Sequence, residues 1–370
     1  MLRSSNRSNN RTTIPLPTLA KAIRVRSSDV IAEYSGKDIL RSLHHHGVVE
    51  LAYKQFELKP KLHFALETMA KASIAVEMLR AIEIEQFLKK LHKAHLDFIV
   101  FKGTALAYFL YQNAWQRPRS DTDILVRKED LAQIHQLLET LGYVKAVSIS
   151  GKYVSYQTTV FKKVNQNFTH RIDIHWKINN RQIFADCYNL DELLENSLSC
   201  NVLSQDMFIP NNVDSILLAC IHRIGHHSKQ ERLIWLYDLH LLCQSLDTSQ
   251  WAMLVAKARR KNITAIVYDG LAACNSLFNT KIAPGIYHAI KKEPEHAEAS
   301  QVFLDRDKSE MHLFWKDLMF LPHWSQRLTL IKEHLVPDRQ YLIQQSKTNS
   351  TIIALCQRLF SGIRKKLSGN

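Results

Sequence analysis

Three aspartates carry most of the chemistry this sequence can do. In Ser120-Asp121-Thr122-Asp123-Ile124-Leu125-Val126 two carboxylates stand two residues apart within a run of β-forming residues. Residues two apart in a strand share a face, so Asp121 and Asp123 point one way while Thr122 and Ile124 point the other. Their mutual repulsion is relieved when a cation lies between them, and a hard divalent ion with oxygen ligands is the usual solution. A bare Asp-x-Asp is more often a solvated strand edge, so the assignment needs a second source of charge. Arg171-Ile172-Asp173-Ile174-His175-Trp176 supplies it, with Asp173 and His175 on one face and Ile172, Ile174 and Trp176 on the other. If the two strands are neighbours, Asp121, Asp123 and Asp173 can bind a pair of Mg²⁺ (or Mn²⁺) ions about 3.5–4 Å apart, the spacing that two-metal phosphoryl transfer requires.

A phosphate cradle has its components in Phe101-Lys102-Gly103-Thr104, at a strand-to-helix junction. Gly103 allows backbone N–H groups to approach phosphate oxygens, the helix N-terminus adds its positive dipole end, Lys102 a point charge and Thr104 a hydroxyl. Alone, the tripeptide Lys102-Gly103-Thr104 is an ordinary turn with a surface lysine; its place one helix before the acidic strand gives it weight. Arg117 and Arg119 precede the acidic pair closely enough to reach a bound phosphate or to balance the carboxylates, and solvated arginines account for them equally well. His175 is either a ligand or, the reading favoured here, a histidine hydrogen-bonded within the sheet. His44, His45 and His46 are consecutive, fan around a helix axis and are read as structural. His222 and His226 lie one helical turn apart, with His227 adjacent, but lack the glutamate context of a zinc protease. Trp235 and Asp238 are read as packing and bracing residues.

The elements that must position these groups follow from periodicity. Residues 36–95 form an N-terminal helical region, with Leu66, Ala70, Ile74, Met78 and Ile82 at helical steps. Phe98, Ile99, Val100 and Phe101 form a buried strand, followed by a helix from about Thr104, its N-cap, to Gln112. A second strand runs near Asp121 to Val126, and a helix through Leu131, Ile134, Leu138 and Leu141 stops at Gly142. Tyr153 to Phe161 and Arg171 to Ile178 read as an antiparallel pair. Residues 96–210 thus make an α/β (α+β) core with a mixed sheet. Residues 211–345 form a C-terminal helical domain, helical from Val213 to Phe278. Residues 346–370 form a basic amphipathic tail, whose segment Thr351 to Leu367 is expected to dock on this protein or a partner in preference to a membrane.

Composition bounds the rest. The 370 residues, 46% of them hydrophobic, suffice for two or three folded domains. Forty-nine Lys and Arg against 35 Asp and Glu give +14, which favours polyanionic partners without choosing among them. The six cysteines show no CxxC pair, so they are expected to be reduced core thiols in a cytoplasmic protein. Residues 1–35 are expected to be a disordered basic tail, since Pro15, Pro17 and Lys21 interrupt any signal-peptide core; a transit peptide is the minor alternative. No run of eighteen or so apolar residues occurs, so no integral membrane segment is expected.

The order Gly103-Thr104, helix, Asp121-x-Asp123 and a later strand with Asp173 resembles the nucleotidyltransferase superfamily of DNA polymerase β. More narrowly, Phe-Lys-Gly-Thr-Ala-Leu, Arg117-Pro118-Arg119-Ser120-Asp121-Thr122-Asp123, the Asp173 strand and the segment His222 to Asp238 resemble the uncharacterised bacterial nucleotidyltransferases with KGxAL and RxxxDxD signatures, over roughly residues 40–340. The resemblance implies a polymerase β-like core, metal binding and catalysis by Asp121, Asp123 and Asp173, and nucleotide contact by Lys102, Gly103, Thr104 and Arg117. Two departures stand out: Thr104 replaces the usual serine, and sixteen residues separate it from Asp121, a longer gap than usual.

The expectation is therefore a metal-dependent nucleotidyltransferase that moves a nucleoside monophosphate from an NTP such as ATP to an acceptor hydroxyl or phosphate, releasing pyrophosphate. The acceptor (small molecule, peptide, protein or RNA) and the oligomeric state stay open. Two alternatives are a DxD glycosyltransferase using a nucleotide sugar and a non-catalytic nucleotide- or nucleic-acid-binding module.

Overall fold

The computed structural model describes residues 13–225, 230–291, 298–305, 307–346, 348 and 350. The tail segment Thr351 to Leu367, together with His226 and His227, lies outside them. The sheet is built from β1 (Phe98–Phe101), β2 (Thr122–Val126), β3 (Val144–Lys145), β4 (Gln157–Lys163) and β5 (Thr169–His175), in the order β1-β2-β5-β4-β3. Only β2 and β5 run parallel; β1 pairs antiparallel with β2, and β4 antiparallel with both β5 and β3. This is the mixed sheet expected of residues 96–210, and β4–β5 is the expected antiparallel pair. A separate hairpin of β6 (Leu198–Val202) and β7 (Gln205–Ile209) follows, which the sequence pattern did not reveal.

Strand alternation divides the sheet into two unlike faces. Phe98, Val100, Ile124, Val126, Val160, Ile172 and Ile174 cluster with Ile84, Phe87, Leu88 and Leu91 of the long helix Pro60–Lys93 and with Ile134 and Leu138 of the helix Leu131–Thr140. The opposite face carries two rows of cross-strand partners. One runs Phe101, Asp123, Asp173, Thr159; the other runs Ile99, Leu125, His175, Gln157. Its apolar end, Ile99, Phe101 and Leu125, belongs to a second core, shared by helices from both ends of the chain. Leu19, Leu43 and Leu51 meet Ile216, Leu236 and Leu271 there, so the N-terminal and C-terminal helical regions form one body in space.

One expectation is corrected outright. Residues 13–35, assigned to a disordered basic tail, contain the helix Leu16–Val25, with Leu19, Ala20, Ala22 and Ile23 buried, and a short 3₁₀ turn at Asp29–Ile31. The prolines open this helix: Pro15 is its N-cap and Pro17 sits in the first turn, where the missing N–H costs nothing. A second, smaller correction concerns the cradle helix, which begins at Lys102 and has Phe101 as N-cap, so Thr104 lies inside its first turn. Among the described residues no helix is long and apolar enough to cross a membrane.

Candidate active site

Asp123 and Asp173 are direct register partners on the parallel pair β2–β5. One oxygen from each lies within 4.8 Å of the other and of a His175 ring nitrogen, a grouping that can hold a metal ion. Asp121 stands one residue before β2, partly exposed, with the Ser120 hydroxyl donating to its Oδ2 at 2.9 Å. Asp173 is fixed from β4: Thr159 Oγ1 donates to its Oδ1 at 2.6 Å and Gln157 Nε2 to its Oδ2 at 3.0 Å. His175 does what the favoured reading expected, placing Nε2 2.8 Å from Asp123 Oδ1.

The charges sort themselves by partner. Burial would raise the Asp123 pKa, but the Lys102 ammonium and the His175 hydrogen bond outweigh it and hold this carboxyl well below its usual range. Burial and the Asp123 charge push Asp173 up to about 6, and burial followed by the same charge raises Asp121. Burial and Lys102 depress His175 to about 4, so it is neutral at pH 7.

Lys102 turns back at the end of β1 to reach this cluster. Its φ of 53° is left-handed, an arrangement that costs a non-glycine residue on the order of 1–2 kcal/mol. The turn carries Nζ across the Phe101 ring, 4.8 Å from its centroid, to within 2.7 Å of Asp123 Oδ1. Strain of this kind persists where surrounding contacts over-determine it, and it gathers at functional sites.

The other cradle residues are engaged within the protein. Thr104 is fully buried; its hydroxyl donates to the Asp121 carbonyl at 3.3 Å and accepts from Arg119 Nε at 3.1 Å, tying the helix Lys102–Leu110 to the start of β2. A Cβ at Gly103 would meet Arg117 Nη1 at 2.5 Å, so the glycine lets a guanidinium lie over the helix start. Arg117 is itself buried. Its Nε and Nη2 donate to Asp238 Oδ2 at 3.2 and 2.8 Å, while the Tyr111 hydroxyl donates to Asp238 Oδ1 at 2.6 Å. Arg119 pairs with Glu77 at 2.7 Å. Asp238, read from the sequence as a brace within its own helical segment, instead ties that segment to the site, and its partner is Arg117. Removing it leaves a buried guanidinium unpaired, so Asp238→Ala should lose about 3–5 kcal/mol of stability in denaturant titration; an unchanged unfolding midpoint would show that water satisfies Arg117.

These residues floor a cleft of about 650 Å³. Lys102, Gly103, Asp121, Asp123 and Asp173 line the sheet side, Glu50 and Ser73 come from the N-terminal helices, and His222, Arg232 and Trp235 from the C-terminal ones. Volumes of 300–1,000 Å³ are typical of small-ligand sites.

Residues 35–279 match the model of a family described as uncharacterised nucleotidyltransferases. The chain belongs to this family. Among curated proteins none matches it. Solved structures similar to it share little sequence. They include the antibiotic-resistance factor ANT(2'')-Ia, at 14% identity over 52% of this chain and 95% of that one, TM-score 0.36. A nucleotidyltransferase-like antigen from Paracoccidioides brasiliensis matches at 11% over 58% and 96%, TM-score 0.37. JHP933 from Helicobacter pylori matches at 16% over 63% and 90%, TM-score 0.32.

Sequence reasoning missed several residues of this nucleotidyltransferase's cleft. Gln157 and Thr159 were legible in principle, being two apart on a strand already assigned, and so bound to share the face of whatever β4 pairs with. Arg232, Glu50 and Ser73 carry no local signal; helix packing alone brings them to the cleft.

Proposed function

We propose that the protein transfers a nucleoside monophosphate from an NTP to an acceptor hydroxyl or phosphate and releases pyrophosphate. The observation that carries this reading is the side-by-side register of Asp123 and Asp173 at the floor of a nucleotide-sized cleft, in a chain of nucleotidyltransferase family. The donor set suits a hard divalent cation. It is rich in carboxylate oxygen, and Asp121 and Asp173 hold raised pKa values because burial and then the Asp123 charge disfavour their ionised forms, a penalty that a cation would relieve.

Asp121, Asp123 and Asp173 would hold Mg²⁺ or Mn²⁺, which when bound neutralises phosphate charge and lowers the pKa of an acceptor hydroxyl. The chain's own groups do the remaining work. Gln157 and Thr159 aim Asp173, which can accept the acceptor's proton. Lys102, already beside Asp123 and lining the cleft, can offset phosphate charge there. His175, neutral and buried, orients Asp123.

The test is to incubate the full chain with each labelled NTP, Mg²⁺ or Mn²⁺ and a panel of hydroxyl- and phosphate-bearing acceptors. Label transfer with stoichiometric pyrophosphate is the expected result; label released only as free nucleotide, with every acceptor, counts against transfer. A pH dependence follows as well. Asp173 takes up a proton as pH falls through about 6, so calorimetric Mg²⁺ affinity of the nucleotide-free protein should drop between about pH 7.5 and 5.5. A flat profile would remove Asp173 from the ion's ligands.

A further inference from the structure

Among the described residues, four lysine and arginine side chains line the cleft: Lys102, Arg117, Arg119 and Arg232. The first three are matched by carboxylates, Asp123, Asp238 and Glu77 respectively. Arg232 is different. Its Nε donates to the His45 carbonyl at 2.8 Å, its guanidinium lies 5.9 Å from the Trp235 ring centroid, and no carboxylate among the described residues pairs with it. Apart from burial, the influence on its charge is that of Arg117, which has the same sign.

A guanidinium carries five N–H donors, and the His45 carbonyl uses one. The two Nη groups form the planar fork that fits two oxygens of a phosphate. Like charges facing one cleft are unfavourable by themselves, and an anion between them reverses the sign. One helix sets the spacing of the two arginines. Arg232 is the N-cap of Leu233–Gln244, and Asp238 on the same helix anchors Arg117 through two hydrogen bonds. Arg117 in turn lies over Gly103 at the start of the helix Lys102–Leu110, whose N-terminal dipole adds positive potential.

We propose that Arg232, backed by Arg117, forms an anion subsite in the cleft that takes a phosphate group of the substrate, with Arg232 making the contact and Arg117 supplying field. The source of that phosphate rests on the nucleotide-transfer reading: it is either the triphosphate of the NTP or a phosphate on the acceptor. The subsite itself rests only on the arrangement of these side chains.

The experiment compares full-length wild type with Arg232→Gln and Arg232→Lys. Both variants lose the His45 contact in its native form, but only Gln loses the charge. Calorimetry is run with Mg²⁺-tripolyphosphate, with a non-hydrolysable ATP analogue, and with inorganic phosphate added to the analogue complex; melting temperatures are recorded alongside. A charge-assisted hydrogen bond predicts that Gln weakens phosphate binding roughly ten-fold or more, with Lys recovering most of it. Loss in the tripolyphosphate and analogue arms assigns the subsite to the NTP. Loss confined to inorganic phosphate on the analogue complex assigns it to the acceptor. Unchanged binding in all arms, or equal losses in Gln and Lys with lowered melting temperatures, overturns the proposal and makes Arg232 a strut between helices. Arg232-dependent phosphate binding in a protein that transfers no nucleotide would leave the subsite standing and sink the transfer reading. Normal transfer and binding by Arg232→Gln would do the reverse.

Discussion

Asp121→Asn and Asp123→Asn should each lower Mg²⁺-dependent nucleotide transfer by about two to three orders of magnitude, while differing in what they do to the fold. Both keep side-chain volume and delete a negative charge from the proposed ion ligands, and losing one preorganised charge contact in an active site commonly costs a factor of about 10²–10³. Asp121 is partly exposed, and its described hydrogen bond comes from the neighbouring Ser120. Its neutralisation also relieves the burial penalty and the repulsion from Asp123 that together raise its pKa, so the melting temperature should stay level or rise slightly. Asp123 is buried and is the carboxylate on which Lys102 and His175 both converge. An amide there leaves the Lys102 ammonium buried without an anion and the left-handed turn at residue 102 without the contact that holds it, a change of about 3 kcal/mol or more. Calorimetric melting and the transfer assay on both variants separate the two effects. Native transfer by either variant, under conditions where the wild type needs metal, removes that residue from the site. Equal melting temperatures for both would mean that Lys102 finds another anion.

What could be read from the sequence, and what could not, divides along the distance over which each contact acts. The strands β1, β2 and β5 were visible because their apolar residues alternate or run continuously, and alternation alone puts Asp173 and His175 on one face. The alignment of Asp123 beside Asp173 depends on a parallel pairing fifty residues apart, which periodicity does not fix; it entered as a condition and the register meets it. The start of the cradle helix was misplaced by two residues because Lys102 adopts a backbone conformation that residue preferences assign to glycine. The helix Leu16–Val25 was hidden by its arginines, since a region without acids reads as solvated although Leu19 and Ile23 give it a buried stripe. Arg117 looked like a phosphate ligand by proximity to the acidic pair. Its bond to Asp238, 121 residues away, is a product of tertiary packing and has no trace in local spacing.

Asp173→Ala is expected to abolish transfer while leaving binding of the Mg²⁺-loaded nucleotide within a few-fold of wild type. The reasoning starts from how differently the two strand carboxylates are held. Asp123 is locked by two nitrogen partners, an ammonium and an imidazole, and stays ionised at any physiological pH. Among the described residues Asp173 receives only neutral donors, Thr159 and Gln157, and its pKa of about 6 lies close to the working range of a proton acceptor. Two carboxylates in register whose environments push their pKa values apart suit a division of labour, the low one holding charge and the high one exchanging a proton. On that reading Asp173 is the group that takes the acceptor's proton. Deleting it should therefore remove the chemical step, and Asp121, Asp123 and Lys102 should still hold the nucleotide. Isothermal titration with a non-hydrolysable NTP, run beside the transfer assay, reads the two quantities independently. Transfer at the native rate would make Asp173 a structural residue of β5 and dissolve the three-carboxylate site. Binding lost together with transfer would place Asp173 among the nucleotide's own ligands, and the proton would then have to leave by way of another group in the cleft.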